Sequence, residues 1–117
     1  MSWELRLIKT TTNSENNIEE VKATLPIGSP KLIIECLKKF CTFDPPIVTG
    51  LEFICVLPMG ETMEVDISHL DADELVESVA FNIHYDDAPP MGFLQYITQL
   101  LDCKAIDVST SEFIEFA

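Results

Sequence analysis

Glu61–Ser68 alternates without a break: Met63, Val65 and Ile67 are apolar, while Thr62, Glu64, Asp66 and Ser68 are polar. A period of two puts these sets on opposite faces of a strand, so one sheet face is buried and the other meets water. Pro58-Met59-Gly60 reads as a turn joining this strand to Leu51–Leu57. Leu51–Leu57 is apolar nearly throughout apart from Glu52, as expected of an inner strand covered on both faces. Sharing a face between Phe53, Cys55 and Leu57 and the apolar set requires paired numbers with an even sum. A sum of 118 sets Glu52 opposite Asp66, and a sum of 120 sets Val56 opposite Glu64 and Ile54 opposite Asp66. Either register collects Glu52, Glu64 and Asp66 on the face away from the core.

Other segments extend this sheet. Trp3, Leu5 and Leu7 alternate with Glu4 and Arg6 as a half-buried strand, and Thr10–Asn17 is a polar loop. Residues 18–28 suit either a helix through Ile18, Val21 and Leu25 or a strand through Val21, Ala23, Leu25 and Ile27. Pro26 favours extended backbone at the end. Ser29-Pro30 starts a helix, with Ser as N-cap and Pro in the first position. Ile33, Cys36, Leu37, Phe40 and Cys41 carry it to about Thr42, Glu35 and Lys39 pair four apart, and Asp44-Pro45-Pro46 ends it. A strand over Val76–Tyr85 follows, with Val79, Phe81, Ile83 and Tyr85 aligned and Asn82 and His84 on the acidic face. Asp86-Asp87-Ala88-Pro89-Pro90 is a loop able to cap a helix over about Met91–Leu101, whose buried face is Phe93, Leu94, Ile97, Leu100 and Leu101. Lys104–Val108 and Glu112–Phe116 close the chain as two short strands.

This order predicts a single α+β domain over residues 1–117, an antiparallel sheet of about five to six strands with two helices on one face. The expected core is Trp3, Leu5, Ile33, Leu37, Phe40, Phe53, Cys55, Val65, Ile67, Phe81, Ile83, Phe93, Ile97 and Leu100.

Charge limits the function. The formal net charge is −13, and between Phe40 and Cys103 there is no lysine or arginine against twelve acids. Hydrophobic residues make up 47 % and mean hydropathy is +0.20, which excludes a disordered acidic chain. Apolar runs stop far short of the roughly 18 residues that span a bilayer. Met-Ser-Trp-Glu-Leu-Arg is unlike a signal peptide, so the four cysteines read as reduced thiols and the cytoplasm as the compartment. Nucleic acid and anionic membrane, which need basic patches, are not expected partners.

Catalytic and metal patterns are weak. No two cysteines stand at Cys-x-x-Cys spacing, so Cys36, Cys41, Cys55 and Cys103 read as small buried hydrophobes. His69 and His84 are fifteen apart with no fixed relation. Asp71-Ala72-Asp73-Glu74 begins like a calcium loop, but Val76 stands where the loop needs glycine, so a charged turn or cap explains it better. Twelve acids supply carboxylate pairs by chance, and the four glycines are isolated, with no phosphate loop. No cofactor and no metal are expected.

Leu25-Pro26-Ile27-Gly28-Ser29 before a helix, the strand Met63-Glu64-Val65-Asp66, and the close Ala105-Ile106-Asp107-Val108 with Glu112-Phe113-Ile114-Glu115-Phe116 together resemble a group of small bacterial proteins. That group is similar to the acidic immunity proteins that neutralise bacterial toxins. The resemblance covers the order of elements along most of the chain and carries no functional residue over. It implies a non-catalytic inhibitor of a basic toxin. Nucleases need positive sites for phosphate, so the acidic charge fits a nuclease target, and on that electrostatic ground the candidate contacts are Glu52, Glu64, Asp66, Asp86 and Asp87, with His84 and Tyr85 as a central anchor. The same acids also read as a solvated face that resists aggregation. An accessory or homodimeric subunit using Ile54, Val56, Tyr96 and the Phe113–Phe116 edge is the second reading, and an enzyme without a motif the third.

Overall fold

The computed structural model describes residues 1–12, 15, 17–44, 46 and 50–116, and the side chains of these except 68 and 69. Among the described residues there are eight strands, two α-helices and a single 3-10 turn at Ile18–Glu20: β1 Ser2–Thr10, β2 Thr24–Leu25, α1 Pro30–Lys38, β3 Thr42–Asp44, β4 Glu52–Val56, β5 Thr62–Leu70, β6 Val76–His84, α2 Met91–Leu101, β7 Lys104–Asp107 and β8 Glu112–Phe113.

 Every pairing is antiparallel, and the strands lie in the order β3-β4-β5-β6-β1-β7-β8, with β2 added to the end of β1. The fold is therefore α+β, with more strands than the sequence indicated. β3 is the strand that sequence periodicity hid inside a helix.

α1 begins as its sequence dictates. Ser29 Oγ accepts a hydrogen bond from Leu32 N at 3.2 Å, and Pro30 occupies the first turn. The helix stops at Lys38, short of Thr42, and Cys41 lies beyond it. Phe43 is buried opposite Cys55 in the β3–β4 ladder, so pairing with β4 wins the last residues from the helix. Lys39 thus falls outside the helix, and Glu35 instead pairs with Lys38 at 3.5 Å, three residues on. Of the loop expected after Asp44, residues 45 and 47–49 lie outside the described residues, as do 13, 14 and 16 of the loop after β1. α2 is not capped by Asp86 or Asp87: its N-cap is Pro90, with no side-chain cap, because two prolines separate those acids from the first turn. At its other end Asp102 adopts the left-handed conformation, φ 51°.

The core has one side. Leu5 and Leu7 of β1, Cys55 of β4, Met63, Val65 and Ile67 of β5, and Val79, Phe81 and Ile83 of β6 form one cluster with the inward residues of both helices. Those are Ile33, Cys36 and Leu37 from α1 and Phe93, Leu94, Ile97 and Leu101 from α2, so both helices cover the same sheet face. Trp3, Phe40 and Phe53 are half-buried at its margin. Leu100, expected in the core, is 45 % exposed, because Leu101 and Thr98 take the inward positions of the last turn.

The Cα atoms extend 36 × 35 × 21 Å. With packed layers about 10 Å apart, the short dimension accommodates the sheet and one helix layer. The expectation that β4 is covered on both faces is therefore corrected: Ile54 is 42 % exposed on the side without helices.

Candidate acidic docking face

Antiparallel pairing fixes which side chains meet on the uncovered face. Glu52 pairs with Asp66, Ile54 with Glu64 and Val56 with Thr62, the register whose paired numbers sum to 118. The β5–β6 ladder then sets Glu64 opposite Asn82 and Thr62 opposite His84. β1 lies on the far side of β6 and sets Glu4 opposite Asn82 and Arg6 opposite Ala80. At the other edge Asp44 of β3 pairs with Ile54.

One row therefore crosses five strands as Asp44, Ile54, Glu64, Asn82 and Glu4, and Val108 N donates to Glu4 O at 3.1 Å beyond it. Neighbouring strands are about 4.8 Å apart, so the three acids of this row recur about every 10 Å. A second row runs Glu52, Asp66, Ala80 and Arg6. Setting Glu52 directly opposite Asp66 costs some tenths of a kcal/mol, since like charges on paired residues repel.

These rows line a concavity of about 630 Å³, with Ile54 and Val108 (47 % exposed) as apolar ground between the carboxylates. Glu4, Asp44, Glu52, Glu64 and Asp66 border it, and Arg6 is the one base among its lining residues. Arg6 Nη1 donates to Ser78 Oγ at 3.3 Å, which turns it along β6. Glu64 Oε2 accepts from Asn82 Nδ2 at 3.2 Å and lies 3.9 Å from His84 Nε2, an ion pair whenever that imidazole is protonated. Asn82 Oδ1 is buried and accepts no hydrogen bond from the described residues.

The structure thus brings Glu52, Glu64 and Asp66 together and sets His84 at the end of the same face. Tyr85, Asp86 and Asp87 lie elsewhere. Tyr85 packs against the core on the helix side, because adjacent residues of a strand point to opposite faces. Asp86 and Asp87 border a separate shallow hollow at the end of the sheet, which His84 also lines, together with Met1, Met59 and Glu61. Tyr85 lines that hollow as well, so His84, Tyr85, Asp86 and Asp87 meet there, apart from Glu52, Glu64 and Asp66.

Glu4, Asp44 and Arg6 escaped the sequence reading. The alternation of Glu4 and Arg6 with Trp3, Leu5 and Leu7 already marked them as outward. What remained hidden was the insertion of β1 beside β6, seventy and more residues away in the chain.

Asp71 Oδ1 accepts from Asp73 N and Leu75 N, both at 2.9 Å, which makes the calcium-like segment a charged turn. Among the described residues, no three His, Cys, Asp or Glu side chains converge as metal ligands would. The side chain of His69 lies outside the described residues. All four cysteines are unpaired, and Cys36, Cys41 and Cys55 are buried. Burial, reinforced by the charge of Asp102 and opposed by Lys9, pushes the Cys103 thiol up to about 12. No described helix is long and apolar enough to cross a membrane. Comparison with known protein families, with curated proteins and with solved structures finds no match to this chain.

Proposed function

We propose that this chain is a non-catalytic binding protein of the immunity type, which docks its open acidic sheet face over the basic site of a toxin and blocks it. A nuclease is the fitting target, because its site must be positive to hold phosphate. The observation that carries this reading is the convergence of Glu4, Asp44, Glu52, Glu64 and Asp66 from four strands onto a face the helices leave open. A face kept acidic only for solubility needs no apolar ground, yet Ile54 and Val108 stand exposed among the carboxylates. Opposite fields steer such an encounter, raising association toward about 10⁸–10⁹ M⁻¹s⁻¹ at low salt.

Affinity capture from the source cell tests the proposal. Immobilised wild-type chain should retain a basic protein that raised salt releases, and the double variant Glu64→Lys, Asp66→Lys should not retain it. Equal retention by both chains would sink the reading.

A further inference from the structure

The opposite side of the molecule carries an independent signal. The chain holds seven bases and twenty acids, yet Met91–Leu101 contains no charged residue. A helix at a surface normally turns charged residues to water, whereas the polar residues α2 turns outward, Gln95 and Gln99, carry no charge. The inward stripe of α2 is already complete in Phe93, Leu94, Ile97 and Leu101. Tyr96 and Leu100, four residues apart and so side by side on the helix, are 63 % and 45 % exposed, and Met91, on another side of the first turn, is 36 % exposed. α1, which packs beside it, adds Leu32 at 46 % exposure, and Pro30–Lys38 with Lys39 holds three lysines against one glutamate.

Tyr96 is braced. Its ring lies 5.7 Å from Phe40, which meets Phe93 edge-on at 5.9 Å, and Phe93 in turn lies 6.2 Å from Phe81 in the core. A tyrosine already held by its neighbours loses little freedom on being covered, and tyrosine is enriched among the residues that dominate binding energy.

We infer that this helix layer is a self-association surface, on which a second copy of the chain packs its own α2 about a twofold axis. Charge selects the occupant. At −13, acid-bearing surface on one copy repels the same surface on another. The uncharged α2 stripe and the lysine-bearing α1 let two copies approach without setting acid against acid. A twofold contact must also be complementary to itself, which an uncharged apolar surface satisfies and a one-signed acidic surface does not. An eleven-residue α2 is only about 16 Å long, so the contact is small and the dimer weak and reversible. Because the helix layer and the acidic face lie on opposite sides of one sheet, this dimer leaves both acidic faces open. It stands whether or not the docking proposal does.

Sedimentation equilibrium of the full chain over a salt series tests the inference. A monomer–dimer equilibrium is expected, and its dissociation constant should fall as salt rises, because screening relieves the repulsion between like-charged copies. Docking on a basic partner has the opposite salt dependence. Tyr96→Asp and Leu100→Asp, both at exposed positions, should each weaken the dimer by about tenfold or more, with the far-ultraviolet circular dichroism of the folded chain unchanged at working temperature. Ile54→Asp on the acidic face should leave dimerisation as it was. A chain that stays monomeric at every concentration and salt overturns the inference, and so does a dimer indifferent to both helix substitutions.

Discussion

Asp107 shows how a single side chain joins the ends of the chain. Its Oδ2 accepts from the Trp3 indole at 3.0 Å, and its Oδ1 accepts from Ser109 N at 2.9 Å and Ser109 Oγ at 2.6 Å. Burial alone would raise this carboxyl, but hydrogen bonds from Ser109, Trp3 and the Ser109 and Thr110 amides outweigh it and hold the group below the usual carboxylate value. A depressed folded value contributes stability above the unfolded one, about 3.9, and loses it as pH falls through the folded one. Asp107→Asn should therefore unfold at lower urea than wild type at neutral pH, with the gap closing below about pH 4. A gap independent of pH would assign the loss to shape rather than charge. Phe81, 1 % exposed, lies at the centre of the cluster, and Phe81→Ala should cost about 3–5 kcal/mol in denaturant titration. A loss under about 1 kcal/mol would mean that the site collapses around the missing ring.

At the scale of elements, the approach to α1 depends on one backbone conformation. Gly28 has φ +155°, and the start of β6 is tied to this segment by Val76 N, which donates to Gly28 O at 2.7 Å, and by Ile27 N, which donates to Val76 O at 2.8 Å. An added Cβ would lie 2.6 Å from Leu32 Cδ2. Leu32 is exposed and can swing aside, so the backbone conformation sets the cost. Gly28→Ala should lose about 1–3 kcal/mol, read as a lowered melting midpoint. No loss would show that the segment shifts to negative φ without disturbing the pairing with Val76. The end of α1 teaches a related lesson, since the apolar spacing through Phe40 and Cys41 continued a helix that the β3–β4 ladder had already ended.

Across the whole molecule the charges are sorted by layer. The open sheet face gathers five acids around Arg6, while the helices hold lysines and an uncharged stripe. If the acidic face steers the partner, Glu64→Lys with Asp66→Lys should slow association with the captured partner and flatten its salt dependence in stopped-flow mixing. At physiological salt the Debye length is about 8 Å, so only charges near the contact matter much. Glu19→Lys with Glu35→Lys, away from the face, should change the rate little. Equal slowing by both pairs would mean that the charge acts as a diffuse field, and the docking face would lose its assignment.

Alternation in the sequence determined the strands, because a period of two can be read from neighbours along the chain. It also determined the sum-118 register as one of two choices, the Ser29-Pro30 start of α1 and the extent of α2. The outward set Glu52, Glu64 and Asp66 followed from the same parity, as did the separation of His84 from Tyr85 once the strand was known to be uncovered on one side. Tertiary structure alone decided the remainder. Glu4 and Arg6 reach the acidic face because β1 inserts between β6 and β7, and Asp44 reaches it because Phe43 gains more from burial on β4 than from a further helical turn. Those outcomes rest on contacts between residues far apart in the chain, which no local spacing encodes.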